Sequence, residues 1–239
     1  MNIQFIGTGD AFTKYGHNSA ILFFEGTNLM IDCPDSNFTK IEALELTYSA
    51  IEHLFITHLH ADHINGLEKF AYYKSIATPH LPKTKLFVPK NILSDLWESL
   101  KHGLSVTTDG EKTLHDYFDV VEVETSFMIG NQSFQIQQTK HVPGMDSYGL
   151  YAKNHVYFSG DSLVDEDFLL EIEQNVNLIF HDCHLWDLPI KSHASLDDIK
   201  KLTKKIQEKM VLMHYQDGFQ GKDKANHFPL AQPTRVYEC

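Results

Sequence analysis

Apolar residues along the first third of the chain fall in short runs separated by Gly, Asn and Asp. Residues 2–6, 20–24, 29–32 and 53–57 follow that pattern, which is the signature of strands. Glu25-Gly26-Thr27-Asn28 reads as a hairpin connection between the second and third. Residues 39–51 place Ile41, Leu44, Tyr48 and Ile51 at helical spacing and predict an amphipathic helix. Two more helices are predicted over 66–77 and 91–102, the latter closed by Gly103, with a short strand at 85–88 between them.

Residues 103–117 are polar and without period, and we read them as a loop reaching toward substrate or a second copy, with a mobile connector as the alternative. Strands then return at 119–124, 133–138, 148–152, 156–159 and 176–181. A last helix carries the stripe Leu196, Ile199, Leu202 and Ile206 behind a capping box of Ser195 and Asp198. Residues 218–239 have little period and form a tail, docked or disordered. Strand runs with helices between them predict an α/β chain of sheets sandwiched between helices, and we take 1–239 as one domain.

Composition narrows the function classes. The chain of 239 residues is 42% hydrophobic and 22% charged, an ordinary globular balance. It has no apolar run long enough for a membrane span, and its first residues lack the form of a signal peptide, so a cytoplasmic protein is expected. Cys33, Cys183 and Cys239 are too few and too scattered for a disulfide framework. A formal charge of −12 argues against a long nucleic acid as partner, while bound cations would still admit a small anion. Gly7-Thr8-Gly9 lacks the third glycine of a dinucleotide fingerprint and reads as turn chemistry.

The candidate chemistry is concentrated in His58-Leu59-His60-Ala61-Asp62-His63, at the end of a predicted strand. Imidazoles and a carboxylate suit zinc and related ions; the competing reading is chance clustering among 15 histidines, and the strand-end position outweighs it. Strand alternation would bring His58, His60 and Asp62 together and turn His63 away, but it does not say which ligand serves which ion, because the chain must turn before the helix. His141, Asp161 and His214 each follow a later apolar run, and His193 precedes the last predicted helix.

Taken in order, Ile6-Gly7-Thr8-Gly9, the 29–33 segment, the His-x-His-x-Asp-His motif, His141, Ser159-Gly160-Asp161 and His214 resemble the metallo-beta-lactamase superfamily. That resemblance implies a four-layer αβ/βα sandwich and a dinuclear centre. His58, His60 and His141 would hold one metal, Asp62, His63 and His214 the other, and Asp161 would bridge. Zn2+ is the expected ion, with Mn2+ or Fe2+ as alternatives. Within the superfamily the chain is similar to the branch of ribonuclease Z and the cyclic-phosphate phosphodiesterases, whose extra His is matched by His193. No basic arm is inserted between His141 and Asp161, which argues against tRNA.

The 181–183, 193–196 and 212–215 segments look most like small cyclic-phosphate phosphodiesterases, among them the anti-Pycsar proteins. The implied reaction is hydrolysis of 3′,5′-cyclic mononucleotides to nucleoside monophosphates by a homodimer, in the host cytoplasm if phage-encoded. Asp62 and His193 are its catalytic candidates. A helix N-terminus disfavours an imidazolium, which leaves the acid role of His193 open. A small lactonase or thioester hydrolase, a tRNA endonuclease and a non-catalytic metal-binding protein are the competing readings. Asp32 and Asp182 are candidates for orienting the histidines, with turn or cap chemistry as the alternative; His17, Asn18 and Ser19 read as a polar turn, and His181 and His184 as structural.

Overall fold

The computed structural model describes every residue except Gln220, Gly221, Asp223 and Asn226. The chain opens with strands β1 (Asn2–Gly7), β2 (Ser19–Phe24), β3 (Thr27–Ile31) and β4 (His53–Phe55), then short helix α1 (Ala61–Ile64) and α2 (Leu67–Tyr72). Next come β5 (Lys85–Pro89), α3 (Lys90–Leu104), the small hairpin β6 (Val106–Thr107) and β7 (Gly110–Glu111), α4 (Leu114–Tyr117) and β8 (Asp119–Val123). The second half contains β9 (Ser126–Ile129), β10 (Gln132–Gln138), β11 (Tyr148–Ala152), β12 (His155–Phe158), α5 (Glu166–Ile172) and β13 (Val176–Asp182). It closes with α6 (Leu196–Lys201), α7 (Lys204–Lys209), β14 (Met210–Met213), β15 (Lys224–Ala225), β16 (Phe228–Pro229) and β17 (Val236–Glu238).

Two sheets face each other. One has the order β17-β1-β2-β3-β4-β5-β8, the other β14-β13-β12-β11-β10-β9. The inter-sheet core is largely phenylalanine: Phe5 lies 5.0 Å from Phe180 between ring centroids, Phe87 4.1 Å from Phe127, and Phe24 5.3 Å from Phe134. Offset and tilted aromatic pairs of this kind add to simple area burial. Outside the second sheet, Tyr157, Ile179, Met210 and Leu212 pack against Leu169, Ile199 and Ile206 from α5, α6 and α7. On the outside of the first, α3 buries Ile92, Leu96 and Leu100. The resulting order is helix, sheet, sheet, helix.

Strands β3, β4, β5 and β8 are mutually parallel, as are β12, β13 and β14. The chain leaves β3 at Asp32, β4 toward His58, β12 toward Asp161, β13 at Asp182 and β14 at His214, all at C-terminal strand ends. Ligand sites of open parallel sheets form outside such ends.

Several sequence expectations change. Residues 39–51 form two 3-10 turns, Ile41–Leu44 and Tyr48–Ala50, instead of one helix. Glu45 at φ 58° ends the first turn and extended Thr47 separates it from the second, although Ile41, Tyr48 and Ile51 are buried as the periodicity implies. Residues 66–77 are helical, but the α-helix α2 passes into a wider π turn over Tyr73–Ala77. Gly103 does not close α3; it lies inside the helix, where a Cβ would meet the Glu68 carboxylate of α2 at 1.9 Å. The 103–117 loop is instead the end of α3, the β6–β7 hairpin and α4 with a Thr113–Asp116 capping box.

Strand β9 was not foreseen. The tail is docked: Thr234 N–H donates to the Phe5 carbonyl, and β17 pairs antiparallel with β1. The hairpin tightens to Glu25 and Gly26, both at positive φ, the requirement of a two-residue primed turn. Gly7 does not supply turn geometry, since its φ is not positive; it admits a close approach of backbone. A Cβ on Gly7 would stand 2.3 Å from the His17 carbonyl oxygen and 2.6 Å from the Gly16 carbonyl carbon.

Neither of those backbone atoms can swing aside. Gly7→Ala is therefore expected to cost about 2 kcal/mol or more, against about 1 kcal/mol for Gly26→Ala, which is strained in φ but has open space around it. Urea unfolding with chelator present measures both; equal midpoints for the two variants would contradict this packing argument.

Candidate metal centre

The motif after β4 departs from alternation at one point. His58 and His60 lie in extended chain and face one way, but His60 is the N-cap of α1, so the backbone turns helical from Ala61. Helical rotation carries Asp62 and His63 together: Asp62 Oδ2 lies 3.4 Å from His63 Nε2. The expectation that Asp62 joins His58 and His60 while His63 turns away is thus corrected, because a 100° step replaces a 180° step at the helix start.

Two clusters result. In the first, His58 Nε2 and His141 Nε2 lie 3.0 and 3.1 Å from His60 Nδ1. In the second, His63 Nε2 and His214 Nε2 each lie 3.4 Å from Asp62 Oδ2. Asp161 Oδ2 belongs to both, at 3.6 Å from His58, 3.9 Å from His141, and 3.4 Å from both His63 and His214. His193 sits beside them, stacked on His214 at 5.1 Å between centroids.

Carboxylates and carbonyls behind the rings fix which nitrogen faces the centre. His63 Nδ1 donates to Asp32 Oδ2 at 2.7 Å, and His141 Nδ1 to the Ser192 carbonyl at 2.7 Å, so each presents Nε2 inward. Asp32 also accepts from the Thr57 backbone N–H and hydroxyl, both at 2.8 Å. Asp182 Oδ2 accepts from His193 Nδ1 at 2.7 Å and from the Ser162 N–H at 3.0 Å, while its Oδ1 lies 3.5 Å from His214 Nδ1. Both orienting carboxylates are fully buried. Asp32 at φ 60° and His214 at φ 57° hold left-handed backbone, strain of the kind that concentrates at functional sites.

The donor set fits divalent cations. His63 Nε2, Asp161 Oδ1 and Asp182 Oδ1 are buried without a hydrogen-bond partner among the described residues. The ion pairs formed by Asp32, Asp62, Asp161 and Asp182 among those residues are all with histidines. A buried carboxylate without a cation is costly, and imidazole with carboxylate is a zinc-type donor set. His58, His60, His141 and Asp161 form one group whose ligand atoms lie within 4.8 Å of one another; Asp62, His63, Asp161 and His214 form the second.

Electrostatics separates the two clusters. Burial, reinforced by neighbouring imidazoles, holds His58, His60 and His141 below the usual histidine range, so their lone pairs are free at neutral pH. Burial also opposes charge on His63 and His214, but the carboxylates of Asp161, Asp32 and Asp182 outweigh it and raise both well above that range. For Asp161, burial is overcome by His214 and His63, which pull it well below the carboxylate range.

Among residues set aside on sequence, His17 bonds Ser36, Ser19 donates to the Asp32 carbonyl, and His181 Nδ1 meets the Asp182 carbonyl. His184 differs from its structural reading: it lines a cavity of ≈ 390 Å3 with His60, Asp62, Asp161, His193 and His214. Phe12, Trp186 and Ile190 line the same cavity. They carry no ligand spacing, and only their exposure in the folded chain marks them.

A cation entering the second cluster must displace protons held by His63 and His214, whereas the first cluster holds none at neutrality. Acidification is therefore expected to empty the site of Asp62, His63 and His214 before that of His58, His60 and His141. Metal analysis after equilibration at stepped pH should show a plateau at about one ion per chain between two losses; loss in a single step would contradict the assignment.

No helix among the described residues is long and apolar enough to cross a membrane. Among solved structures, the chain is similar to the metallo-beta-lactamase fold protein YhfI from Bacillus subtilis, with TM-score 0.77, 14% identity, and coverage of 100% of this chain and 99% of that one. It is similar also to human tRNase Z, short form, with TM-score 0.72, 18% identity, and coverage of 100% and 99%. The metallo-beta-lactamase fold is thereby established. In sequence it is 34% identical over 245 residues to the anti-Pycsar protein Apyc1 of Paenibacillus harenae, covering 100% of both chains. The model of the anti-Pycsar protein Apyc1 family matches residues 1–237, and the chain belongs to that family.

Proposed function

We propose that this protein hydrolyses 3′,5′-cyclic mononucleotides to nucleoside monophosphates with two divalent ions, Zn2+ first among them. One observation carries the reading: Asp161 Oδ2 stands between a three-histidine cluster and an Asp-His-His cluster, with a further imidazole, His193, at the cavity wall. Membership of the anti-Pycsar family supports the cyclic-nucleotide reading, and we propose a homodimer as the resemblance implies.

His58, His60 and His141 would hold one ion, Asp62, His63 and His214 the other, and Asp161 both. Ions there would supply Lewis acidity, activating water at neutral pH and neutralising phosphate charge. Asp62, in the cavity wall, is placed to orient the attacking water. His193 Nδ1 is tied to Asp182, so its Nε2 proton is the one available to the leaving ribose oxygen. Burial lowers the basicity of His193, yet the Asp182 charge and hydrogen bond, with Asp161, leave its pKa above the usual value. That carboxylate supports the imidazolium which a helix N-terminus by itself disfavours. The helix behind it, α6, is short.

The tRNA reading loses its physical basis in the short path from β10 through β11 and β12 to Asp161, which contains no projecting arm. A lactone or thioester substrate remains the competing reading, since His193 paired with Asp182 could also protonate the leaving group of a carbonyl hydrolysis.

Metal-loaded protein should turn over cyclic nucleotides in preference to an acyl lactone, a glutathione thioester or a precursor tRNA. His193→Ala should lower kcat about 100-fold or more with metal content retained, and Asp161→Asn should lose both activity and metal. Rapid lactone opening without phosphodiester turnover would overturn the proposal.

A further inference from the structure

The lining of the cavity carries no Lys or Arg; besides the ligands it includes the apolar residues Ala11, Phe12, Trp186 and Ile190. Phe12 is 84% exposed and Trp186 46% exposed, although both belong to the largest apolar side chains of the fold. Exposed aromatic surface beside a polar site signals a binding surface.

Phe12 is exposed on a fixed support. Its N–H donates to Asp10 Oδ1 at 3.0 Å, and the next residue, Thr13, donates its N–H to the Asp10 carbonyl at 3.1 Å. The Thr13 hydroxyl and the Lys14 N–H both donate to the Asp217 carboxylate, at 2.6 and 3.0 Å, which locks the turn to the segment after β14. Gly9 makes the turn possible, since a Cβ there would overlap Thr13 at 2.4 Å. The Gly-Thr-Gly opening therefore holds an aromatic ring at the mouth of the metal cavity.

His184 lines the same cavity as these aromatic residues and the ligands. It is 6% exposed, and among the described residues neither ring nitrogen makes a hydrogen bond of normal geometry, although the Trp186 backbone lies near it and the charges of Asp182, His193 and Asp198 act on it. A buried imidazole left in that state is a polar group awaiting a partner.

We infer that Phe12 and Trp186 form a stacking surface for the nucleobase, and that His184 supplies a polar contact to the nucleoside between base and phosphate. The inference rests on the cyclic-nucleotide reading of the site and adds how such a substrate is chosen. A cavity of ≈ 390 Å3 falls within the about 300–1,000 Å3 of small-molecule sites, and its lining combines the metal-ligand groups with aromatic π surfaces. Stacking selects for the presence of a base, so a base-free cyclic sugar phosphate becomes a poor substrate although it satisfies the metal side equally.

Binding of product-like ligands tests this apart from turnover. In metal-loaded protein, calorimetry should show adenosine 5′-monophosphate binding about tenfold or more tighter than ribose 5-phosphate. Phe12→Ala and Trp186→Ala should each remove most of that advantage, and Trp186→Phe should restore it. In a Trp97→Phe background the nucleotide, but not the sugar phosphate, should quench the Trp186 fluorescence. His184→Ala should weaken nucleotide binding with metal content retained. For cyclic nucleotides, the two aromatic truncations should raise KM about tenfold while kcat changes little. Equal affinity for nucleotide and sugar phosphate, or an advantage that survives both truncations, would overturn the inference. If the nucleotide advantage holds while no cyclic phosphodiester is hydrolysed, the catalytic reading falls and the base-binding surface stands.

Discussion

Negative charge brought together without basic side chains is the constraint around which this molecule is organised. Asp32, Asp161 and Asp182 are buried and Asp62 nearly so, and the ion pairs they form among the described residues are with histidines alone. Carboxylates in that setting demand cations, either protons on imidazoles or metal ions. The fold answers with an uneven distribution: His63 and His214 take up protons readily, while His58, His60 and His141 remain unprotonated and turn three lone pairs toward one point. The same distribution extends to His193, whose basicity burial lowers but the contact with Asp182 raises above the usual histidine value.

The sheets supply the precision. Parallel strands from both sheets end along one edge, and the site groups come from the last residues of several of them or the loops that follow, four from the segment after β4 alone. Phenylalanines between the sheets fix their separation, and strained backbone at Asp32 and His214 aims side chains that regular strands would send elsewhere. Asp32 ties the end of β4 to the second cluster: its Oδ1 accepts from the Thr57 N–H, and its Oδ2 from both the Thr57 hydroxyl and His63 Nδ1.

Much of this was legible in the sequence because strand ends are marked twice, by a stop in the apolar run and by the polar residue that follows. His141, Asp161 and His214 were found that way. Pairing of Asp62 with His63 was invisible to strand alternation, since the helix starts within the motif and His60 gives no capping signal. The 39–51 segment misled for a related reason: buried positions recur every three to four residues in consecutive 3-10 turns as they do in an α-helix, and Glu45 and Thr47 break the helix without Gly or Pro. Gly103 misled because it lies within α3, facing the Glu68 carboxylate, and not at a helix end. Phe12, Trp186 and His184 had no pattern to betray them; an exposed aromatic and an unpartnered imidazole exist only once the chain has folded.

The account stands or falls on two cations sharing Asp161. Crystals of metal-loaded protein measured at the absorption edge of the ion test it directly. Two anomalous peaks about 3.5–4 Å apart are expected, one among His58, His60 and His141, the other among Asp62, His63 and His214, with Asp161 between them. A single peak, or peaks away from Asp161, would contradict it.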